Sequence, residues 1–148
     1  MADIVSNAVR SRMMSGIRSA NTKPETIIRS ALHRRGYRFR IHRRDLPGNP
    51  DVVLPKYRSV IFVNGCFWHG HTCSSFKWPK TRAEFWRNKI GRNKLNDIKV
   101  CQALLDKGWR VAIVWECSIR GAKKDATKII GQIETWLRCD LPFIEIPQ

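Results

Sequence analysis

A chain of 148 residues is long enough for one domain with its own core, and 43% apolar residues exclude an intrinsically disordered protein. No stretch is long and apolar enough for a membrane-spanning helix. The formal charge of +16 (28 Lys+Arg against 12 Asp+Glu) is concentrated in residues 1–100, which hold 21 basic and 6 acidic side chains, so a polyanion, nucleic acid first, is the expected partner. A solubilising surface or a ribosome-associated protein would carry similar charge.

In chain order, residues 1–21 are polar and basic around a short amphipathic stretch, VRSRMMSGIRSA, expected as a helix or a mobile arm. NTKPETIIRSALHRRG carries helix signals: capping-box spacing of Thr22 and Glu25, Pro24 in the first turn and Gly36 as the stop. Ile27, Ile28, Ala31 and Leu32 form its buried stripe. YRFRI alternates and predicts a strand running into the turn DLPGNP. DVVLP and SVIFVNG predict an antiparallel pair, and residues 64–80 an irregular segment. A helix is expected from about Arg82 to Gly108, with Gly91 as a candidate break. WRVAIVWE predicts a strand buried on both faces. DATKIIGQIETWLR predicts a last helix with Ile129, Ile130, Ile133, Trp136 and Leu137 inward. Helix, three strands, helix, strand, helix is the pattern of a mixed α/β sheet with helices on its faces. The helix joining SVIFV to WRVAIVW is then a right-handed crossover between parallel strands.

The start, MADIVSNAVRSR, lacks the apolar stretch of a secretory signal, so a cytoplasmic protein is expected. Five cysteines in such a chain point to metal ligands or buried thiols rather than a disulfide framework. The stretch NGCFWHGHTC contains C-x4-H-x-C, formed by Cys66, His71 and Cys73. A closed tetrahedral zinc site needs a fourth ligand, and Cys117 fits, because Cys66 and Cys117 would both lie just past the carboxyl ends of neighbouring parallel strands. The alternative is that both are buried small hydrophobes. Cys101 and Cys139 are read as structural thiols.

A chain built only to hold phosphate gains nothing from acids near its ligand, unless a divalent cation stands between carboxylate and phosphate. Asp51 opens a strand after a proline-constrained turn, resembling the first acid of a PD-(D/E)xK nuclease, although the next strand offers Val63 and Asn64 and no E-x-K. An aspartate capping a turn is the commoner explanation of such a position. Glu25 is a second candidate, or simply a capping-box residue. Asp97 is a third, or an ordinary helical ion-pair partner of Lys94. His69, apart from the zinc set, is a candidate base that a basic neighbourhood would keep neutral; the alternatives are a non-ligating polar loop residue, or a swap with His71 as the metal ligand.

Taken in order, PETIIRSALHRRGYRFR, DLPGNPDVVLPKYRSVIFVNGCFWHGHTC, TRAEFWRNKIGRN and GWRVAIVWEC closely resemble the very-short-patch-repair mismatch endonucleases, from about residue 10 to 138. That resemblance implies a restriction-endonuclease-like mixed β-sheet flanked by helices, with a structural zinc site, in one domain over 1–148. It implies a Mg²⁺-dependent DNA endonuclease that nicks 5′ to the thymine of a T:G mismatch, the product of 5-methylcytosine deamination. Asp51 matches the metal-binding aspartate, His69 the catalytic histidine, and Glu25 and Asp97 supporting acids around the metal. The backbone carbonyl of Val63 is the expected further metal ligand. Cys66, His71, Cys73 and Cys117 match the zinc ligands. Phe67, Trp68 and Trp86 match aromatics inserted beside the mismatch, where a weak base pair costs less to unstack. Met14 belongs to an amino-terminal segment, 1–21, that clasps the DNA. Asn64 stands where the family typically has histidine; it can hold a water or phosphate oxygen but cannot carry a proton. A monomer, working beside a cytosine-5 DNA methyltransferase on the bacterial nucleoid, is expected. The rivals are a non-cleaving binder of mismatched or distorted DNA and a related-fold nuclease with another target.

Overall fold

The computed structural model describes residues 23–41, 43–73, 76–121 and 126–147. The expected arm over 1–21, Met14 and the capping residue Thr22 lie outside the described residues. The elements are α1 (Lys23–Arg34), β1 (Val52–Leu54), a 3-10 turn (Pro55–Tyr57), β2 (Ser59–Asn64), α2 (Ala83–Asp106), β3 (Arg110–Trp115), α3 (Glu116–Gly121), α4 (Thr127–Leu137) and β4 (Phe143–Ile146). No described helix is long and apolar enough to cross a membrane.

The four strands form one sheet in the order β1-β2-β3-β4. β1 runs antiparallel to β2, while β2, β3 and β4 are parallel. Because side chains alternate across a strand, the sheet has two apolar faces. Ile61, Val63, Ala112, Val114 and Ile146 meet Ile28 and Leu32 of α1 and Ile129, Ile130, Ile133, Trp136 and Leu137 of α4 in one buried cluster. Val53, Val60 and Val111 meet Leu104 of α2 in the other. The expected inward residues of the last helix are all buried.

Two expectations need correction, and one strand was not foreseen. YRFRI does not form a strand: only Arg40 pairs, as an isolated bridge to Val53. The alternation is real, but Tyr37 and Phe39 pack onto the α1–α4 cluster, and the Tyr37 hydroxyl donates to Glu134 Oε2 at 3.0 Å. Those contacts draw the segment off the β1 edge. The helix over 83–106 is not broken at Gly91, where nothing lies within 4 Å of a would-be Cβ. The roughly 1 kcal/mol that glycine costs there is small beside the packing of a long helix. FIEI near the end of the chain forms β4, unforeseen, and pairs with β3 on the side away from β2. Gly36 and Gly108 do end their helices as expected, at φ of +83° and +84°.

Candidate active site and metal centre

Parallel register brings Asn64 opposite Trp115 at the carboxyl ends of β2 and β3. The chain leaves β2 through Gly65 into a tight turn, with His69 N–H donating to Gly65 O and His71 N–H to Cys66 O. That turn rests on α2. Asn93 Nδ2 donates to Trp68 O at 2.8 Å, and a Cβ on Gly70 would meet Lys94 Cε at 2.5 Å and Ile90 Cγ2 at 2.7 Å. Only glycine allows this approach, and its φ of +61° favours glycine as well.

A cleft of about 570 Å³ opens between α1, the sheet end and α2, and Glu25, Arg29, Asp51, Val63, Asn64, His69 and Asp97 line it. Asp51, one residue before β1, accepts a hydrogen bond on Oδ2 from the Val63 N–H at 2.6 Å. Arg29 ties the base of the cleft together: Nη2 donates to Glu25 Oε2 at 3.1 Å and to the Asp51 carbonyl at 3.0 Å. Glu25 is only 3% exposed. Burial pushes the Asp51 carboxyl up to about 7; the Val63 hydrogen bond opposes the rise, the Glu25 charge adds to it, and Arg29 and His69 oppose it. On the α2 side, His69 Nδ1 lies 2.6 Å from Asp97 Oδ2. Asp97 is therefore the partner of a histidine on another element, at a distance far shorter than a casual helical ion pair would require. Asn64 is 7% exposed and forms part of the cleft wall.

Beside the cleft, the donor atoms of Cys66, His71, Cys73 and Cys117 all lie within 4.8 Å of one another, a group that could hold a metal ion. Cys117 Sγ is 3.6 Å from His71 Nδ1. Thiolates about 2.3 Å from a tetrahedral zinc stand about 3.8 Å apart, so only a small contraction separates this cluster from a ligand shell. Burial pushes the Cys66 thiol up to about 12 and raises Cys117 as well. Cys101 and Cys139 are outside the cluster.

Phe67 and Trp68, on the turn, meet Trp86 from the first turn of α2, with ring centroids 5.3 Å (Phe67–Trp68), 5.3 Å (Phe67–Trp86) and 5.7 Å (Trp68–Trp86) apart. All three are half-buried and belong to neither core cluster. Phe85 is the residue that faces outward, 39% exposed.

Three contributors escaped sequence reasoning. Arg29 had a usable signal, its i,i+4 spacing from Glu25. Asn93 had none. Trp115, stacked on His71 at 4.1 Å and 8° and donating Nε1–H to Glu145 of β4 at 2.8 Å, could be read only once β4 was placed.

A family model described as DNA mismatch endonuclease Vsr matches residues 2–75. The DNA mismatch endonuclease Vsr of Escherichia coli is 44% identical over 138 residues, 93% of this chain and 88% of that protein. The type II nicking enzyme V.XorIIP of Xanthomonas oryzae pv. oryzae is 50% identical over 80% of this chain and 88% of its own length. The type II nicking enzyme V.NmeAIP of Neisseria meningitidis is 42% identical over 81% and 86%. A mixed α/β sheet with an acid-lined cleft, in a chain so similar to these proteins, defines an endonuclease. The chain belongs to the DNA mismatch endonuclease Vsr family.

Proposed function

We propose that this protein nicks one strand of duplex DNA on the 5′ side of the thymine in a T:G mismatch, as left by deamination of 5-methylcytosine, and so starts very short patch repair. The observation that carries this reading is a single turn holding both functions: Phe67 and Trp68 meet the Trp86 ring in tilted and edge-on contacts, and the next residue, His69, reaches Asp97 in the cleft that Asp51 also lines. Seating aromatics in a weakened base step then sets the base beside the backbone to be cut.

Mg²⁺ suits the cleft because the donors there are carboxylate and carbonyl oxygens. Asp51 and the Val63 carbonyl would hold it. The Val63 N–H already meets Asp51, and in a strand the N–H and C=O of one residue face the same edge. When bound, the cation neutralises charge that builds on the scissile phosphate. His69 accepts the proton of the attacking water on Nε2, since its Nδ1–H is committed to the ionised Asp97. Asp97 then stabilises the imidazolium. Glu25 would add a second carboxylate to the cleft, placed to accept from water beside the cation, and Asn64 would donate to a phosphate oxygen. As the water oxygen bonds to phosphorus the P–O3′ bond breaks, and the departing 3′-oxygen takes a proton from water in the open cleft. The products carry 5′-phosphate and 3′-hydroxyl ends.

The cysteine–histidine cluster is proposed to hold structural zinc, its four protein donors leaving no open position for chemistry. The whole chain, 1–148, acts as one domain, with 1–21 and Met14 contacting DNA from the opposite groove. A monomer suffices, because one nick needs one site. Function beside a cytosine-5 DNA methyltransferase, in the bacterial cytoplasm on the nucleoid, completes the reading.

The test is a Mg²⁺ nicking assay on end-labelled duplexes that differ only in T:G against C:G at one position, in several flanking sequences. A nick 5′ to the mismatched T, absent from matched duplex and from Asp51→Ala, is the expected result. Tight mismatch binding without cleavage would make the protein a recognition module. Cutting of matched duplex would make it a nuclease with another target.

A further inference from the structure

The last described strand, β4, reaches toward the site through Glu145. The Glu145 carboxylate accepts from Trp115 Nε1 at 2.8 Å, and Trp115 is the final residue of β3. Trp115 is 7% exposed and stands beside three members of the site. Its ring is stacked on His71 at 4.1 Å and 8° and forms a T-shaped pair with His69 at 6.2 Å and 73°, and its Cα is paired in register with Asn64. Cys117 follows two residues later.

We infer that Trp115, held by Glu145, is a positioning residue that couples the cysteine–histidine cluster to His69. The inference rests on the proposed zinc and nicking reading and adds residues to it that act through others. An imidazole that ligates a cation is electron-poor, and the negative π-face of an indole in parallel contact favours that state. Glu145 fixes the indole in its plane, because a buried Trp N–H requires an acceptor and this carboxylate supplies it. With the plane fixed, His71 cannot rotate away from the three sulfurs. His69 meets two groups, the Asp97 carboxylate at Nδ1 and the indole in an edge-to-face ring contact. One side chain thus meets a metal-site ring in a parallel stack and the candidate base in a T-shaped contact.

The test uses the full-length, zinc-loaded protein and two readouts: the rate of zinc release to a chromophoric chelator, and kcat and KM for nicking T:G duplex. Support for a ligating imidazole is typically worth about 10–100-fold, so Trp115→Leu should release zinc roughly 10-fold faster and lose roughly 10-fold in kcat, with KM within about 2-fold. Trp115→Phe, which keeps an aromatic face, should restore both to within about 3-fold. Glu145→Ala should move both in the same direction by about 3-fold, and Glu145→Gln, which keeps the acceptor, should not. Glu145 is half-buried on an edge strand, so its variants carry the test if Trp115→Leu does not fold. Zinc release unchanged from wild type in Trp115→Leu and Glu145→Ala would overturn the inference. So would losses of kcat that merely follow losses of Tm, with Phe no better than Leu. Wild-type protein that holds zinc but never nicks would sink the functional reading instead, while leaving the release comparison intact.

Discussion

His69 Nδ1 lies 2.6 Å from Asp97 Oδ2, although 28 residues separate them in the chain. An ionised carboxylate only accepts, so Nδ1 is the nitrogen that donates to Asp97, and in the neutral ring this leaves the Nε2 lone pair to act as base. Asp97→Asn keeps the shape but can present its amide N–H₂ to the ring, which favours the opposite tautomer. We expect kcat for nicking to fall by roughly 10²–10⁴-fold with mismatch affinity little changed, measured by single-turnover cleavage beside a binding titration. Equal losses in binding and cleavage would make the pair a fold contact only.

Asp51 makes the site pH-dependent in two opposite senses. Its carboxyl sits at about 7 against an ordinary 3.8, mainly through burial. Cation binding needs the ionised form, so below about pH 7 the Mg²⁺ concentration for half-maximal nicking should rise about tenfold per pH unit. Stability without Mg²⁺ runs the other way. The folded chain binds this proton more tightly than the unfolded one, so the contribution is full below pH 4 or so and lost as pH climbs through about 7. Asp51→Asn removes the charge while keeping an acceptor for Val63 N–H. In Mg²⁺-free buffer it should raise stability by roughly 2–4 kcal/mol at pH 8, and by almost nothing at pH 4. A Tm difference that is the same at both pH values would contradict this.

The parts of this site legible in the sequence were those that depend on strand ends. Two apolar runs, SVIFV and WRVAIVW, identified β2 and β3, and parallel pairing of such runs puts Cys66 and Cys117 side by side. Asp97 was ambiguous because helical spacing rules look only along its own helix, while its partner arrives on a turn from another element. YRFRI had the alternation of a strand, but half-burial against a helix pair produces the same period as half-burial in a sheet. FIEI is four residues between prolines, too short to show a period. Its place is set by the exposed edge of β3, and with it went the Glu145–Trp115 contact.

The ring cluster predicts a loss of discrimination rather than of general DNA affinity. Trp86 meets both Phe67 and Trp68, so Trp86→Ala removes the ring that the two turn aromatics lean on, while Asn93 still holds the Trp68 carbonyl. Stacking against a base is worth about 1–3 kcal/mol, so T:G duplex should bind roughly 5- to 160-fold more weakly, with matched duplex held by the basic surface almost unaffected. Leu95→Ala, a change at a residue 61% exposed on the same helix, should alter neither. Equal weakening on both duplexes for Trp86→Ala would assign the rings to packing.

Metal removal separates the two proposed cation sites. Mg²⁺ in an oxygen-lined cleft exchanges readily, so EDTA followed by Mg²⁺ should stop and then restore nicking within a single sample. The cysteine–histidine cluster has sulfur donors and pins residues 66–73 to the end of β3, so stripping it under mild acid with a strong chelator should do more. Freed of the ion, Cys66 and Cys117 return to thiols, since burial disfavours their thiolates. The turn that carries Phe67, Trp68 and His69 then loses its anchor beside β3, although its contacts with α2 remain. The stripped protein should show a lower Tm, and Mg²⁺ alone should not return nicking. Zinc added together with Mg²⁺ should. Full activity on Mg²⁺ alone, with zinc shown absent by elemental analysis, would leave the cluster as four packed side chains and remove the metal from the account of how the turn is held.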